Sequence, residues 1–454
     1  MNSFAFLLAA IAFVGISVFV FMNYPLSWRK DKLFVTLLVL WHLVGTVALT
    51  IVFTRFRFIA HDNIRHEICR TATLFFISTS LLAMFFVFRI IYTRTYHFIL
   101  RRTGREEKVS GRRISDRRYQ TVVFILLSFG IALAGYFNID FLHLTTYDVH
   151  VRAKSTADEL RICLIADVHA GSGTYGYAYE DIREQIDACN ADVLLIGGDL
   201  FDETTAESDA EKFVSVLETI QKPKYGIYYV YGNHDGLVED WVPGAKDAIL
   251  NAGVKILADE MVTIGEDIQL IGCLDPMLRA EKFKTLYARL QPDPEKPILV
   301  LTHRPKHFRE MASLGADLVM AGHTHGFNIP HFFSTSLVND MLSGLRKYGD
   351  MYAVTTSGTG AWGFHYKWPA QSEVVCIRVH FDGTKEQPKH DGAAGASFSS
   401  RREITPCISP RKSCILTFPD VIMGSRSGND RHRQNAEAKE TEQGGNKHGK
   451  EFFG

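Results

Sequence analysis

Five short polar blocks lie between positions 167 and 325: Asp167-Val168-His169, Gly197-Gly198-Asp199, Gly232-Asn233-His234-Asp235, Thr302-His303 and Gly322-His323-Thr324-His325. They offer carboxylate, carboxamide and imidazole donors and no thiolate. Gathered in one place, such lone pairs repel one another unless cations sit among them. The set suits a pair of borderline divalent metals, and manganese, iron and zinc all accept it. One carboxylate can span two such cations, the arrangement that two-metal hydrolysis uses.

Each block follows an apolar run that reads as a buried strand: RICLIA, ADVLLI, YGIYYVY, KPILVL and ADLVMA. Five strand ends therefore deliver the donors to one sheet edge. Helical spacing of apolar residues appears in between, at Tyr179 to Cys189, Ala206 to Gln221, Ala245 to Ala252 and Ala280 to Leu290. Strands alternating with such helices indicate an α/β layered sheet. Further strands near Val254–Ile256, Ile268–Ile271, Tyr352–Thr356 and Glu373–Val379 suggest a second sheet facing the first. The expectation is a four-layer α/β/β/α sandwich with the motif loops along one edge.

The rest of the 454 residues is of a different character, and a formal net charge of zero conceals it. Four apolar stretches, roughly Ser3–Met22, Leu33–Phe53, Thr71–Ile91 and Thr121–Ile139, each approach the ~20 residues that cross a bilayer as a helix. The first lacks the basic flank of a signal peptide and reads as a retained span. The loop before the fourth is crowded with arginine, from Arg94 to Arg118, and the positive-inside bias places it in the cytoplasm. Counting outward, the metal-site half emerges on the opposite face. The same counting leaves Arg55, Arg57, Arg65 and Arg70 outside, against the bias. Within the spans only His42 and Arg89 are ionisable; His42 reads as a hydrogen-bonded neutral ring and Arg89 as snorkelling toward the basic loop. So few polar groups argue for an anchor and against a transporter. The seven cysteines show no CxxC spacing, and no basic patch interleaved with aromatics supports a nucleic-acid polymer as partner.

The organisation expected is four transmembrane helices over 1–140, a linker over 141–159, the metal-site domain over 160–383 and a mostly disordered tail over 384–454, where the hydrophobic pattern collapses.

In that order, DxH, GGD, GNHD, TH and GHTH resemble the calcineurin-like metallophosphoesterase superfamily, closest to its membrane-anchored bacterial branch. Tyr348-Gly349, the glycine loop Ser357-Gly358-Thr359-Gly360 and Pro369 also fit that branch. The resemblance implies one metal on Asp167, His169, Asp199 and His325 and another on Asn233, His303, His323 and the bridging Asp199. It implies a metal-activated hydroxide that attacks phosphorus. His234, beside the ligand Asn233, is the candidate to protonate the leaving oxygen, with Asp235 placed to orient it. Asp202 reads as a loop or helix-capping residue, with an acceptor for a metal-bound histidine as the alternative. One departure is that His365-Tyr366-Lys367 stands where the branch usually has an arginine, leaving Lys367 as a substitute point charge for phosphate.

The function expected is that of a membrane-anchored phosphohydrolase cleaving a phosphodiester, pyrophosphate or phosphomonoester. Spans beside the domain make a lipid-linked substrate attractive, and the apolar stretch Phe327–Leu345, with Ile329, Phe332, Phe333, Leu337 and Leu342, reads as a hydrophobic loop packed on the sheet or, alternatively, as a lip for acyl chains. The alternative is a membrane-tethered metal-containing binding or sensor module without turnover. Oligomeric state is not legible here.

Overall fold

Uninterrupted Leu, Val, Ile and Phe leave no polar face for water, and such runs satisfy their backbone groups internally only as helices when surrounded by hydrocarbon. In the computed structural model, which describes residues 3–54, 58–59, 62–103, 113–171, 174, 176–278, 280–326, 339–362, 365–383 and 403–406, they form α1 (Ser3–Asn23), the single turn α2 (Leu26–Arg29), α3 (Lys32–Thr54), α4 (Asp62–Arg102) and α5 (Arg113–Asn138). Among the described residues, three stretches are long and apolar enough to cross a membrane: Lys32–Val52, Glu67–Arg102 and Arg118–Asn138. The described apolar part of α1, Phe13–Asn23, is shorter. Helix α4 packs against α1, α3 and α5, while Leu33, Leu37, Leu40 and Val44 of α3 stay exposed, as lipid-facing side chains would. His42 meets the Leu38 carbonyl of its own helix at 2.8 Å. Arg89 does more than snorkel: it donates to the Asn23 carbonyl at 3.0 Å and to Thr121 at 3.3 Å, tying α1 and α5 to α4.

The stretch expected as a linker is a strand, β1 (Leu142–Val151). Its period-two pattern explains this, with Tyr147, Val149 and Val151 buried and Asp148 and His150 exposed. There follow β2 (Glu159–Ile165), α6 (Gly176–Cys189), β3 (Val193–Ile196), α7 (Glu207–Thr219) and β4 (Ile227–Tyr229). Next come α8 (Val238–Trp241), α9 (Ala245–Asn251), β5 (Val254–Ile256), β6 (Glu260–Ile264), β7 (Ile268–Gly272) and α10 (Phe283–Leu290). The domain continues with β8 (Ile298–Leu301), α11 (Phe308–Ser313), β9 (Leu318–Ala321), β10 (Gly344–Tyr348), β11 (Met351–Thr355) and β12 (Ser372–Phe381). Within the expected tail, β13 (Glu403–Pro406) pairs antiparallel with β1; the other tail positions after 383, and Phe327 to Val338 of the expected lip, lie outside the described residues.

Two sheets result, in the orders β13-β1-β12-β2-β3-β4-β5 and β10-β11-β9-β8-β7-β6. Leu160, Ile162 and Leu195 of the first face Leu299, Leu318 and Met320 of the second across one core. Helices α6, α7 and α9 cover the outer face of the first sheet, and α10 and α11 that of the second. This is the four-layer α/β/β/α sandwich. The strands sort differently from the sequence expectation, however. The runs KPILVL and ADLVMA become β8 and β9 of the second sheet, while Val254–Ile256 and Ser372–Phe381 join the first. A strand buried on both faces carries no alternation to say which sheet it belongs to: Leu194 and Ile196 face the helices while Val193 and Leu195 face the other sheet.

The helical region and the sandwich meet through a buried ion pair. Arg65, at the start of α4, reaches Asp209 in the first turn of α7, with one of its contacts at 2.9 Å. Asp209 also accepts the Ala206 N–H at 3.2 Å, where the helix dipole favours a carboxylate. Both side chains are buried. Arg65→Met leaves that carboxylate desolvated without its guanidinium and is expected to cost about 3–5 kcal/mol, the usual penalty for breaking a buried pair. Thermal unfolding of the full chain in detergent checks this, and adding Asp209→Leu is expected to recover much of the loss.

Candidate metal centre

Parallel pairing of β2 with β3 and β4, and of β8 with β9, brings the C-terminal ends of five strands to one side of the two sheets. The five polar blocks begin there, where parallel α/β sheets gather functional groups. The donors therefore converge from two facing sheets, not along a single edge. Asp167, His169 and His325 form one buried cluster, and Asp199, His303 and His323 form a second. Asn233 joins the second, its Oδ1 3.2 Å from His303 Nε2. Asp199 lies between the two: its Oδ2 is 3.1 Å from His303 Nε2 and 3.9 Å from His169 Nε2. All seven positions singled out as ligands are thus brought together.

The backbone is bent to achieve this. Asp167 (φ 53°), His169 (45°), Asp199 (54°), His323 (73°) and His325 (53°) all sit in the left-handed region, at a cost of about 1–2 kcal/mol each. Such conformations persist where surroundings over-determine them, typically at working sites. Here the restraint is a lattice of amides. Asp167 N–H donates to the Gly198 carbonyl at 2.9 Å and His169 N–H to the Asp199 carbonyl at 3.2 Å. His323 N–H donates to the Asp167 carboxylate at 2.8 Å, and His234 N–H to Asp199 Oδ1 at 2.9 Å. Two glycines are required by closeness: a Cβ at Gly232 would strike the Asp199 carboxylate, and one at Gly322 the Asp167 carboxylate.

The electrostatics are those of a cage built for cations. Four donor atoms crowd one point: His303 Nε2 is 3.1 Å from His323 Nδ1, 3.1 Å from Asp199 Oδ2 and 3.2 Å from Asn233 Oδ1. His303 Nδ1 meets the Gly197 carbonyl at 2.8 Å, which fixes the tautomer and leaves the Nε2 lone pair facing inward. His169 Nε2 is buried without a hydrogen-bond partner, the state of a ligand atom whose partner is a metal. These residues fit two divalent cations. With protons alone, burial pushes the Asp167 carboxyl up, and Asp199 adds repulsion although His303 counters it. Burial also acts to raise Asp199, but His303, His234 and His169 outweigh it and hold that carboxyl well below its ordinary range. Burial, joined by the charges of His303, Arg304 and Lys306, pulls His323 down to about 2. Protons and cations compete for the same lone pairs.

Three roles differ from the sequence expectation. Asp202 caps no helix, since α7 begins after Ala206, although its Oδ1 keeps the expected loop role by accepting the Thr204 N–H at 2.7 Å. It is fully buried with Oδ2 3.1 Å from His169 Nδ1, the placement of a carboxylate paired with an imidazole of the first cluster. Asp235 does not orient His234. Its carboxylate accepts the N–H groups of Asp199 (2.6 Å), Gly232 (2.7 Å) and Leu200 (3.1 Å), because it opens a 3₁₀ turn that points it away from its neighbour. The carboxylate beside His234 Nδ1 is Glu203, at 3.2 Å. Burial pulls the His234 pKa down, but the Glu203 bond and the nearby carboxylates raise it to about 9. The adjacency of Glu203 to Asp202 in GGDLFDE is the only signal that could have found it. Lys367, expected to face phosphate, is fully buried and donates to the carbonyls of Gly358 and Gly360. The cations beside the second cluster are instead Arg304 and Lys306. Arg304 is fixed by Nε at 2.6 Å from the buried Asp275. Trp362 lies at the other side, its ring 5.5 Å from that of His234.

Comparison with known proteins agrees with this architecture. The family model described as calcineurin-like phosphoesterase matches residues 160–327. A Helicobacter pylori protein described as an uncharacterized metallophosphoesterase is 30% identical over 284 residues, covering 59% of this chain and 73% of its own. A Danio rerio transmembrane protein with a metallophosphoesterase domain is 27% identical over 317 residues, covering 65% and 70%. A solved dimetal phosphatase from Danio rerio aligns over 49% of this chain and 92% of its own at 12% identity, with a TM-score of 0.32, too low to transfer geometry. Similarity of that length to the Helicobacter relative, on top of the matched family model, makes this chain a member of the calcineurin-like metallophosphoesterase family and its activity class that of a phosphoric-ester hydrolase.

Proposed function

We propose that the chain is a membrane-anchored dinuclear-metal phosphohydrolase acting on a phosphodiester, pyrophosphate or phosphomonoester with a lipid-linked leaving or retained group. The observation that carries this reading is the Asp199 carboxylate lying between two buried donor clusters, within 3.1 Å of one imidazole and 3.9 Å of another. Asp167, His169, Asp199 and His325 would hold one cation, and Asp199, Asn233, His303 and His323 the other. Two cations so held supply an activated water and neutralise charge building on phosphate oxygens.

The remaining chemistry belongs to side chains. Asp202 keeps His169 turned toward the centre, and Asp235 clamps the Asp199 and Gly232 backbones. Arg304, immobilised by Asp275, keeps its other guanidinium N–H groups available to a non-bridging phosphate oxygen, which suits its planar fork. His234, backed by Glu203, is placed to deliver a proton to the leaving oxygen. Support for an amphiphilic substrate comes from the loop that carries Trp362. A few residues on, its Tyr366 packs with Ile77, Leu81 and Ala132 of the spans, and Trp368 lies against the same cluster. The site thus stands close to the bilayer. The start of α4 and the end of α5 both contact the sandwich, which supports placing it on the face opposite the arginine-rich loop. Arg65 is there consumed by Asp209, and Arg70 by Glu67 and the Tyr136 ring, so they say little about topology.

Three outcomes test the reading in the full chain reconstituted in nanodiscs. With Mn²⁺ added to metal-depleted protein, hydrolysis of aryl phosphodiesters or monoesters is expected, and Asp199→Asn should abolish it; metal uptake without turnover on aryl or lipid phosphates would favour a binding module. Arg304→Met is expected to remove a charge-assisted contact of about 1.5–3 kcal/mol, a roughly ten- to hundredfold loss in kcat/KM. His234→Ala should lower kcat by roughly 10²–10⁴ on alkyl esters, whose leaving oxygen needs a proton, and far less on nitrophenyl esters. Equal losses on both ester types would remove His234 from that role.

A further inference from the structure

The last membrane helix and the metal cage are joined by a short chain of hydrogen bonds. Helix α5 ends at Asn138, leaving its final carbonyls without intrahelical partners. The Gly135 carbonyl is taken by the Lys367 N–H at 3.0 Å. Asn138 Nδ2 donates to the carbonyls of Lys367 (2.9 Å) and Ala370 (2.8 Å). Beside them, His365 Nε2 lies 2.6 Å from Asp140, and the Tyr366 ring occupies the space above Gly135, where any Cβ would intrude on it. The backbone of Lys367 is therefore gripped on both sides by the end of the span.

Its side chain runs the other way. Lys367 Nζ is fully buried and donates to the Gly358 carbonyl at 2.5 Å and the Gly360 carbonyl at 2.6 Å. A buried amine is tolerated only where acceptors surround it. The loop it holds lies directly against the first metal cluster. Thr359 N–H donates to the Ala166 carbonyl and Gly360 N–H to the Asp167 carbonyl, both at 2.9 Å. At Gly358 a Cβ would stand 2.9 Å from that of Asp167, so the loop backbone lies in contact with the ligand side chain. Nothing comparable among the described residues links Lys367 to His303 or His323.

We propose that Lys367 is a positioning residue for the Asp167 half of the metal centre, held in register by the final turn of α5, so that the membrane anchor is a working part of the site. This rests on the dinuclear reading above. The lysine touches neither substrate nor cation. It sets the loop that fixes the left-handed backbone of Asp167, and the last turn of the span sets the lysine. A disturbance at the end of α5 then bears first on the Asp167 position and reaches the other through the His323 N–H on the Asp167 carboxylate, and so more weakly.

The test is a Mn²⁺ titration of the metal-depleted full chain in nanodiscs, following free Mn²⁺ by electron paramagnetic resonance. Wild type, Lys367→Met and Asn138→Ala are compared, with thermal unfolding of each metal-free chain alongside. Two sites are expected in wild type. Lys367→Met is expected to weaken one of them by roughly 10–100-fold, the effect typical of losing an outer support of a ligand, with the other weakened far less. Asn138→Ala should weaken the same site by less and leave the metal-free unfolding midpoint near wild type, so it decides the matter even if Lys367→Met fails to fold. Wild-type affinity at both sites in both variants would overturn the inference alone, as would equal weakening at both sites. Failure of wild type to take up Mn²⁺, Zn²⁺ or Fe²⁺ would instead bring down the dinuclear reading, and this inference with it.

Discussion

Burying so many lone pairs around Asp199 is the constraint to which the rest of the site answers. A desolvated carboxylate between imidazoles is costly unless opposite charge compensates it, and the compensation must sit within a few ångströms. The structure meets this by bringing strand ends from two facing sheets to one place, by bending five donor residues into left-handed conformations, and by setting glycines where a Cβ would strike a carboxylate. Backbone amides do most of the holding. Asp167, Asp199 and Asp235 each accept at least one N–H from a different block, so the five motifs are a single hydrogen-bonded object. Displacing one of them strains the others.

The same coupling extends to the anchor. Helix α5 runs into β1, which pairs in parallel with β12, while the loop before β12 returns to cap the end of α5. Chain entering the domain and chain leaving the site are thus fastened side by side at the helix terminus. Arg65 and Asp209 make a second junction from α4. A tether whose only task was to localise an enzyme would not require buried charge and shared hydrogen bonds at its attachment. Here the packing places Tyr366 and Trp368 among the spans, with Trp362 of the same loop beside His234.

Charged residues near the centre divide into those that hold and those that face outward, and their order in the chain does not reveal which is which. His234 and Asp235 are consecutive, yet one lies at the rim beside Glu203 and the other is buried under three amides. Lys367 stands where an arginine was anticipated and turns inward to carbonyls. Arg304, unremarkable beside His303, keeps a guanidinium partly exposed near the second cluster. In each case the direction of the side chain follows from the turn that carries it: a 3₁₀ turn at Asp235, and a loop pinned to α5 at Lys367.

The donor types, their order and the apolar runs before them are local features, and they were sufficient to identify the family, the four-layer class, the apolar helices and the seven positions that come together. Pattern carries that much because strand burial and helix formation are written in residues close along the chain. Which sheet takes each strand was not legible: a run buried on both faces looks the same in either, and β8 and β9 therefore moved to the second sheet while β12 entered the first. The partners of His169 and His234 likewise depend on contacts between residues far apart in sequence, and the inward turn of Lys367 on a loop pinned to α5. Tertiary structure alone decided them, because a buried charge takes its role from the groups that surround it in space.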